Sequence, residues 1–269
     1  MIRHNLPELP PEQFKKMQEL LDHGAELYYP NMSVEVVILG YHERSLKVLL
    51  VRPYYSENWI LPGRLVMRTQ TLEEAAEQTV RERTRLENLE LHQCRVFSKP
   101  GRDQDYAGVI KQELRDKGFV VADNSWVFQT HVSTCFYALT EYSLVNPSGD
   151  FFNEECAWHD ISDLPELIYD HREMIDCAMR TIRKDSYFRP IGYSLLPEKF
   201  TLPDIHALYE TILNRKLDQR NFAKKLTNLG LIKKMVERLN IGAHRSPYLY
   251  IFDKAKYDEL LEKNDAVII

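Results

Sequence analysis

The sequence is poor in the residues and patterns that mark the commoner kinds of site. Its four cysteines, Cys94, Cys135, Cys156 and Cys177, include no CxxC pair. That argues against a thiolate metal centre and suits small apolar groups in a reducing compartment. No apolar run approaches the roughly 20 residues of a membrane span. The first residues, MIRHNLPELPPEQFKKM, lack the apolar core of a signal peptide. We therefore expect a cytoplasmic protein without a membrane partner. There is no GxGxxG and no P-loop, and the serines, histidines and cysteines show no nucleophile spacing. No resident metal or cofactor is expected.

What is present is a polarised distribution of charge. The 269 residues carry a net charge of −5, but residues 211–250 hold nine Lys/Arg against Asp218 and Glu237. That window carries +7 and leaves −12 for the rest, so two parts with different partners are expected. A seam is expected within 186–197, where YFRPIGYSLLP has two prolines and no sustained period.

Residues 33–52 (SVEVVILGYHERSLKVLLVR) read as two strands joined at His42-Glu43-Arg44. A short extended piece, WILPGRLV, follows. Residues 71–84 form a helix that Thr71 caps, with Glu74 at the capping-box position and Leu72, Ala75, Ala76 and Val80 on one stripe. Residues 131–139 are a strand, and 158–161 a short one. Residues 171–184 are a helix capped by Asp170, with Met174, Ile175, Ala178 and Ile182 on one face. Hairpin-linked strands interleaved with helices predict a mixed α/β sheet. Residues 99–125 are polar and interrupted by Gly101, Gly108 and Gly118, with one helical run over 105–117; such stretches serve as lids or contact arms.

The C-terminal part reads as two helices and a hairpin. In 202–213, Ile205, Leu208, Tyr209 and Ile212 share a stripe. In 218–229, Asp218 caps and Phe222, Leu226 and Leu229 turn inward, leaving Arg220, Asn221, Lys224 and Lys225 outward. Gly230 stops that helix, and LIKKMVERL and YLYIF flank a turn at 240–245. Helix, turn, basic helix, hairpin is the order of a winged helix-turn-helix.

Leu61-Pro62-Gly63 followed by a capped helix resembles the Nudix box, G-x5-E-x7-R-E-U-x-E-E-x-G-U. Aligned on LPG and the last aliphatic residue, the signature's first glycine falls on Arg64 and its first glutamate on Gln70. The Arg-Glu pair falls on Gln78 and Thr79, the Glu-Glu pair on Glu82 and Arg83, and the last glycine on Arg85. Only Val80, Glu82 and Leu86 match. The chemistry needs carboxylates one helical turn apart to hold a divalent cation against a diphosphate, and a single carboxylate does not supply that clamp. With the basic winged helix downstream, the chain resembles the Nudix-related transcriptional regulators over residues 32–98 and 131–252. Their marks here are WILPG, KPGRD, YDHREMI at 169–175, and the KFTL…LYE…RNF-x-KKL series.

The resemblance implies a Nudix-like α/β/α sandwich at 31–187, with the 99–125 insertion and a 1–30 extension as departures, and a winged helix at 188–269. It implies a homodimer on double-stranded operator DNA. It also implies a catalytically dead sensor for a small effector, either a pentose-type sugar or an ADP-ribose-like nucleotide. The segment YYSENWILPG leans towards the sugar-responsive branch and control of sugar utilisation. The alternative is an active diphosphohydrolase with a basic accessory domain.

Candidate effector contacts are Trp59, which could stack on a sugar or a base, and Arg64, which could meet an anion or bond Glu82. Arg102 and Asp103 could bind a polyol or phosphate, or fix their loop. Asp170 and His171 suit a helix cap and a tie to the sheet better than a catalytic pair. DNA contacts are expected from Arg220, Asn221, Lys224 and Lys225 on the helix, and from Lys233, Lys234, Arg238 and Arg245 on the wing.

Overall fold

Residues 33–40 are buried without a break, the mark of a strand covered on both faces. They belong to β1 (Tyr28–His42), which turns through Glu43 and Arg44 into β2 (Ser45–Pro53). Both turn residues have positive φ, 48° and 61°, the geometry that matches a two-residue turn to strand twist. These positions come from a computed structural model, which describes residues 10–54, 56–149, 153–187, 191–239 and 246–263. β3 (Gly63–Met67), β4 (Leu91–Phe97), β5 (Val132–Leu139) and β6 (Asn153–Asp160) complete the sheet. Its order is β4-β5-β1-β2-β6, with β3 antiparallel to the first half of β1.

Two helices bury the stripes read from the sequence. α2 (Leu72–Thr84) has the full reciprocal Thr71–Glu74 capping box and ends at Arg85 in the left-handed conformation. Its Ala75, Ala76 and Val80 join Val34, Val36, Ile38, Leu49, Val66 and Phe136 in one apolar core. In α4 (His171–Asp185), Met174, Ile175, Ala178 and Ile182 are all buried. The strand expected at 158–161 is longer, starting at Asn153, and 161–163 is a tight 3-10 turn. β4 was not anticipated, because LHQCRVF lies at the sheet's edge, half exposed and with few apolar side chains.

The described part of the N-terminal extension, from residue 10, is mostly helix. α1 (Pro11–Leu27) places Phe14, Met17 and Leu21 on one stripe. They pack with Ile110 and Leu114 of α3 (Gln104–Asp116) and with Phe119 and Val121 beyond it. Phe14 and Phe119 stack at 4.1 Å. Gln18 bonds both the carbonyl oxygen and the N–H of Val120, at 3.2 and 3.0 Å. A side chain at Gly24 would meet the Trp126 ring at 2.4 Å, so glycine lets α1 lie against the segment after α3.

The chain divides into two compact units. The first is Met1–Leu39, Val48–Ala138 and Leu144–Ala178; the second is Gly40–Lys47, Leu139–Ser143 and Met179–Ile269. In the second, β7 (Phe200–Thr201) leads into α5 (Leu202–Leu213), whose Thr201–Asp204 capping box is complete. α6 (Gln219–Asn228) follows, with the Asp218 carboxylate accepting from Asn221 N–H at 2.7 Å. β8 (Ile232–Arg238) and β9 (Tyr248–Phe252) form the antiparallel wing, in the order β7-β9-β8, and α7 (Lys254–Lys263) closes the described chain. Ile205, Leu208, Tyr209, Ile212, Phe222 and Leu226 are buried as the two stripes require.

Candidate functional site

The first unit encloses a cavity of about 320 Å³, within the range that suits small-molecule ligands. Met17, Leu21, Ile110 and Leu114 make one wall apolar, so the N-terminal extension and the insertion together roof the site. The opposite wall is polar and is built from β1, β3, α2 and the start of α4.

Its floor begins with Ser33 and Glu35, which share one face of β1 while Val34, Val36 and Ile38 point into the core. Ser33 Oγ donates to Glu35 Oε1 at 2.9 Å and lies 2.7 Å from Ser133 Oγ. Ser133 Oγ in turn accepts from Arg102 at 2.6 Å. Arg102 also bonds both Asp170 oxygens, at 2.8 and 2.5 Å, and the His131 carbonyl oxygen at 3.2 Å. Burial pushes the Glu35 carboxyl up to about 7, against the opposing pull of Arg102 and the two serines. A side chain at Gly63 would meet the Val34 carbonyl oxygen at 2.7 Å and Glu35 Cγ at 3.1 Å, so the glycine of the LPG keeps β3 close to β1.

Asp103 Oδ2 accepts from the His131 backbone N–H at 2.9 Å and lies 3.2 Å from its Nδ1. Burial holds His131 below the usual histidine range despite Asp103. His171, pushed down to about 3 by burial, is neutral, and its Nδ1 accepts from Leu61 N–H at 2.9 Å.

The α2 side of the cavity carries a chain of side-chain bonds. Gln70 donates to Gln78 at 2.7 Å and Gln78 to Glu82 at 2.8 Å, while Arg64 reaches the same Glu82 oxygen at 3.3 Å. Thr79, in the place of the signature's glutamate, gives its hydroxyl to the Ala75 carbonyl oxygen. Among the described residues no three of His, Cys, Asp and Glu are grouped to hold a metal ion. The residues present do not fit the divalent cation of the Nudix reaction: one carboxylate remains, and a guanidinium is bonded to it.

The second unit presents the other site. α6 exposes Arg220, Asn221, Lys224 and Lys225 along one face, opposite buried Phe222 and Leu226. None of the three cations has an ion-pair partner among the described residues. On the wing, Lys234 and Arg238 lie over the Tyr248 ring at 3.4 and 3.9 Å.

Residues 192–252 match the model of the NrtR DNA-binding winged helix domain. The "ADPR responsive transcriptional repressor NtrR" of Acinetobacter baylyi is 22% identical over 254 residues, covering 91% of this chain and 92% of the relative. Shewanella oneidensis NrtR, solved with a 27mer DNA, superposes with a TM-score of 0.64 at 20% identity, over 84% of this chain and 95% of that one. A MutT/nudix family protein of Enterococcus faecalis gives 0.59 at 20% identity, over 91% and 99%. Residues 192–252 are a winged helix domain of the NrtR type, and the chain as a whole is similar to NrtR-like, Nudix-related regulators.

In this NrtR-like frame, four of the expected effector residues line the cavity: Arg64, Glu82, Arg102 and Asp103. Arg102 does so with four of its five N–H donors bonded to protein groups, so it braces the floor. Trp59 does not line the cavity. Its ring sits edge-on to His159 at 4.2 Å, and its backbone pairs with Glu166 and Ile168, which draws it to the segment before α4. The Asp170 carboxylate, expected as a helix cap, is instead taken at both oxygens by Arg102, whereas His171 does tie α4 to the loop ahead of β3. On the wing, Lys233 pairs with Asp253 at 2.6 Å, which competes with a phosphate contact. Arg245 lies outside the described residues.

Glu35, His131, Ser33 and Ser133 escaped the sequence reading. A lone carboxylate inside SVEVVILG was the available signal, because a charge in a strand covered on both faces needs a reason.

Proposed function

We propose that this chain is a transcriptional repressor whose Nudix-like unit binds a nucleotide of the ADP-ribose class without hydrolysing it. Its winged helices, paired in a homodimer, grip a palindromic operator. The observation that carries the reading is the unpaired basic face of α6 inside an NrtR-type winged helix. Similarity along nine-tenths of the chain to a relative named as an ADPR-responsive repressor supports the effector class. A pentose effector and a role in sugar utilisation have no comparable support from the relatives. The absence of turnover rests on Glu82, whose carboxylate is bonded by Arg64 and Gln78. One carboxylate with a guanidinium beside it lacks the ligand set that activates water on a diphosphate.

The test uses the full chain and a DNA fragment that it selects from a random library. Mobility shift should show a complex that ADP-ribose dissolves, and Arg220→Ala with Lys224→Ala should abolish the complex. The double variant should still show a thermal shift with ADP-ribose, since the effector site is untouched. Unchanged DNA binding by that variant refutes the assignment of the recognition helix. Mg²⁺-dependent release of AMP from ADP-ribose, lost in Glu82→Gln, refutes the claim that the sensor is inactive.

A further inference from the structure

We propose that the cavity floor is a subsite for the hydroxyl groups of a pentose ring, received by Glu35, Asp103 and His131. The inference rests on the ligand-sensing reading above and names the part of the ligand that each end of the site takes. Buried polar atoms almost always have partners, yet three acceptor atoms on residues lining this cavity have no hydrogen-bond partner: Glu35 Oε2, Asp103 Oδ1 and His131 Nε2. Glu35 is only 8% exposed.

Asp103 Oδ1 and His131 Nε2 are acceptors, and Glu35 Oε2 is one once its carboxyl ionises, above about pH 7. Glu35 already accepts from Ser33 at its other oxygen. Asp103 takes the His131 backbone N–H, and the ring's Nδ1 faces the same oxygen. With the proton on Nδ1 in the neutral ring, Nε2 carries a lone pair. A phosphate brings only acceptors and negative charge, so it mismatches this floor. Arg102, a nearby cation, has four of its five N–H donors on Asp170, Ser133 and the His131 carbonyl. An apolar ligand would leave each acceptor unmet, at roughly 1–3 kcal/mol apiece. Ring hydroxyls donate, and several neighbouring ones match several neighbouring acceptors. At the other end, Arg64 keeps an unpartnered donor, Nε, beside the bond it makes to Glu82. The anionic part of a nucleotide therefore belongs at Arg64 and its ribose on the floor.

A free pentose and a nucleotide-borne ribose share this chemistry, and titration calorimetry on the full chain separates them. The probes are D-ribose, L-arabinose, ADP-ribose and inorganic pyrophosphate, each against wild type, Glu35→Gln and Asp103→Asn. At about pH 8, where Glu35 is ionised, losing a hydrogen bond to a charged acceptor costs about 10- to 100-fold in affinity, and that loss is expected for the sugar-bearing probe in both variants. Operator binding and the melting profile check that both variants fold. Loss for ADP-ribose supports the subsite with a nucleotide source. Binding of a free pentose but not ADP-ribose supports the subsite and overturns the nucleotide effector. ADP-ribose affinity unchanged in both variants, or matched by pyrophosphate, overturns the subsite and leaves the effector reading standing. No binding by any probe overturns both.

Discussion

Replacing Glu35 by glutamine should stabilise the first unit at neutral pH and not at acidic pH. In the folded chain the carboxyl titrates at about 7, against 4.5 for an ordinary glutamate. Below 4.5 it is protonated in both states and has no effect on stability. Between 4.5 and 7 the unfolded chain ionises while the folded one stays neutral, so stability is lost as pH rises, levelling off above 7. At about 1.4 kcal/mol per pH unit the full loss is on the order of 3 kcal/mol. Desolvation outweighs Arg102 here because that guanidinium already holds both oxygens of Asp170. The other charged or titratable groups lining the cavity are Asp103, His131, His171, Arg64, Glu82, Arg83, Tyr28 and Tyr169. Glutamine keeps the acceptor that Ser33 uses and carries no charge to desolvate. The assay is urea unfolding at pH 5 and pH 8, followed by fluorescence. Trp59, Trp126 and Trp158 all lie in the first unit, so the signal reports it alone. The stability difference between variant and wild type should grow by about 3 kcal/mol from pH 5 to pH 8. A difference that stays flat across that range would show that Glu35 is ionised throughout, held by Arg102, and would sink the burial argument.

Three further outcomes are expected. If Arg220 and Lys224 each neutralise a phosphate, their joint replacement by alanine lowers the log–log salt slope of residual DNA binding by about 1.8, read by fluorescence anisotropy from 50 to 300 mM salt; an unchanged slope denies those contacts. Arg102→Gln leaves Asp170 without its countercharge and should cost about 3–5 kcal/mol of unfolding free energy, with Arg102→Lys failing to restore it for want of the planar fork; a loss below about 1 kcal/mol would make the pair a surface one. Phe14→Ala removes the stacked partner of Phe119 and, being half-buried, should cost about 2 kcal/mol. Hydrogen exchange should then speed up over α1 and α3 and stay unchanged over α2, and protection lost evenly everywhere would deny that α1 docks as a separate layer.

Elements with a strong period and a cap were legible from sequence: α2 with Thr71 and Glu74, α5 with its four-residue stripe, α6 with Asp218, and the β1–β2 hairpin. β4 was not, because an edge strand buries too little to show alternation. The helical run expected at 105–117 is α3, but α1 and its packing on the 99–125 stretch were illegible for a linked reason. Each has an apolar stripe too short to form a core alone, and they meet only in three dimensions, Phe14 on Phe119 and Leu21 beside Ile110 and Leu114. For the site, the eroded box named Arg64 and Glu82, and KPGRD named Arg102 and Asp103, all of which line the cavity. Trp59 lies outside that lining, and its neighbour in space, His159, is a hundred residues away in sequence. Glu35 and His131 are brought together by a sheet register that spacing along the chain does not encode.

The bond between Arg64 and Glu82 explains why one carboxylate of the box survives when the others are gone. Where the signature places Arg-Glu, the chain has Gln78 and Thr79; the first relays a bond to Glu82, and the second turns back on its own helix at Ala75. Glu82 is therefore retained as the acceptor that fixes Arg64 on the cavity wall. The guanidinium supplies, within the protein, positive charge of the kind that a divalent cation would bring to a diphosphate. The substitution is not chemically neutral. A metal ion offers open coordination positions, on which water loses a proton near neutral pH, whereas a guanidinium offers only hydrogen-bond donors and stays fully protonated. Under the reading proposed above, such a wall holds an anionic ligand without generating the hydroxide that would cleave it.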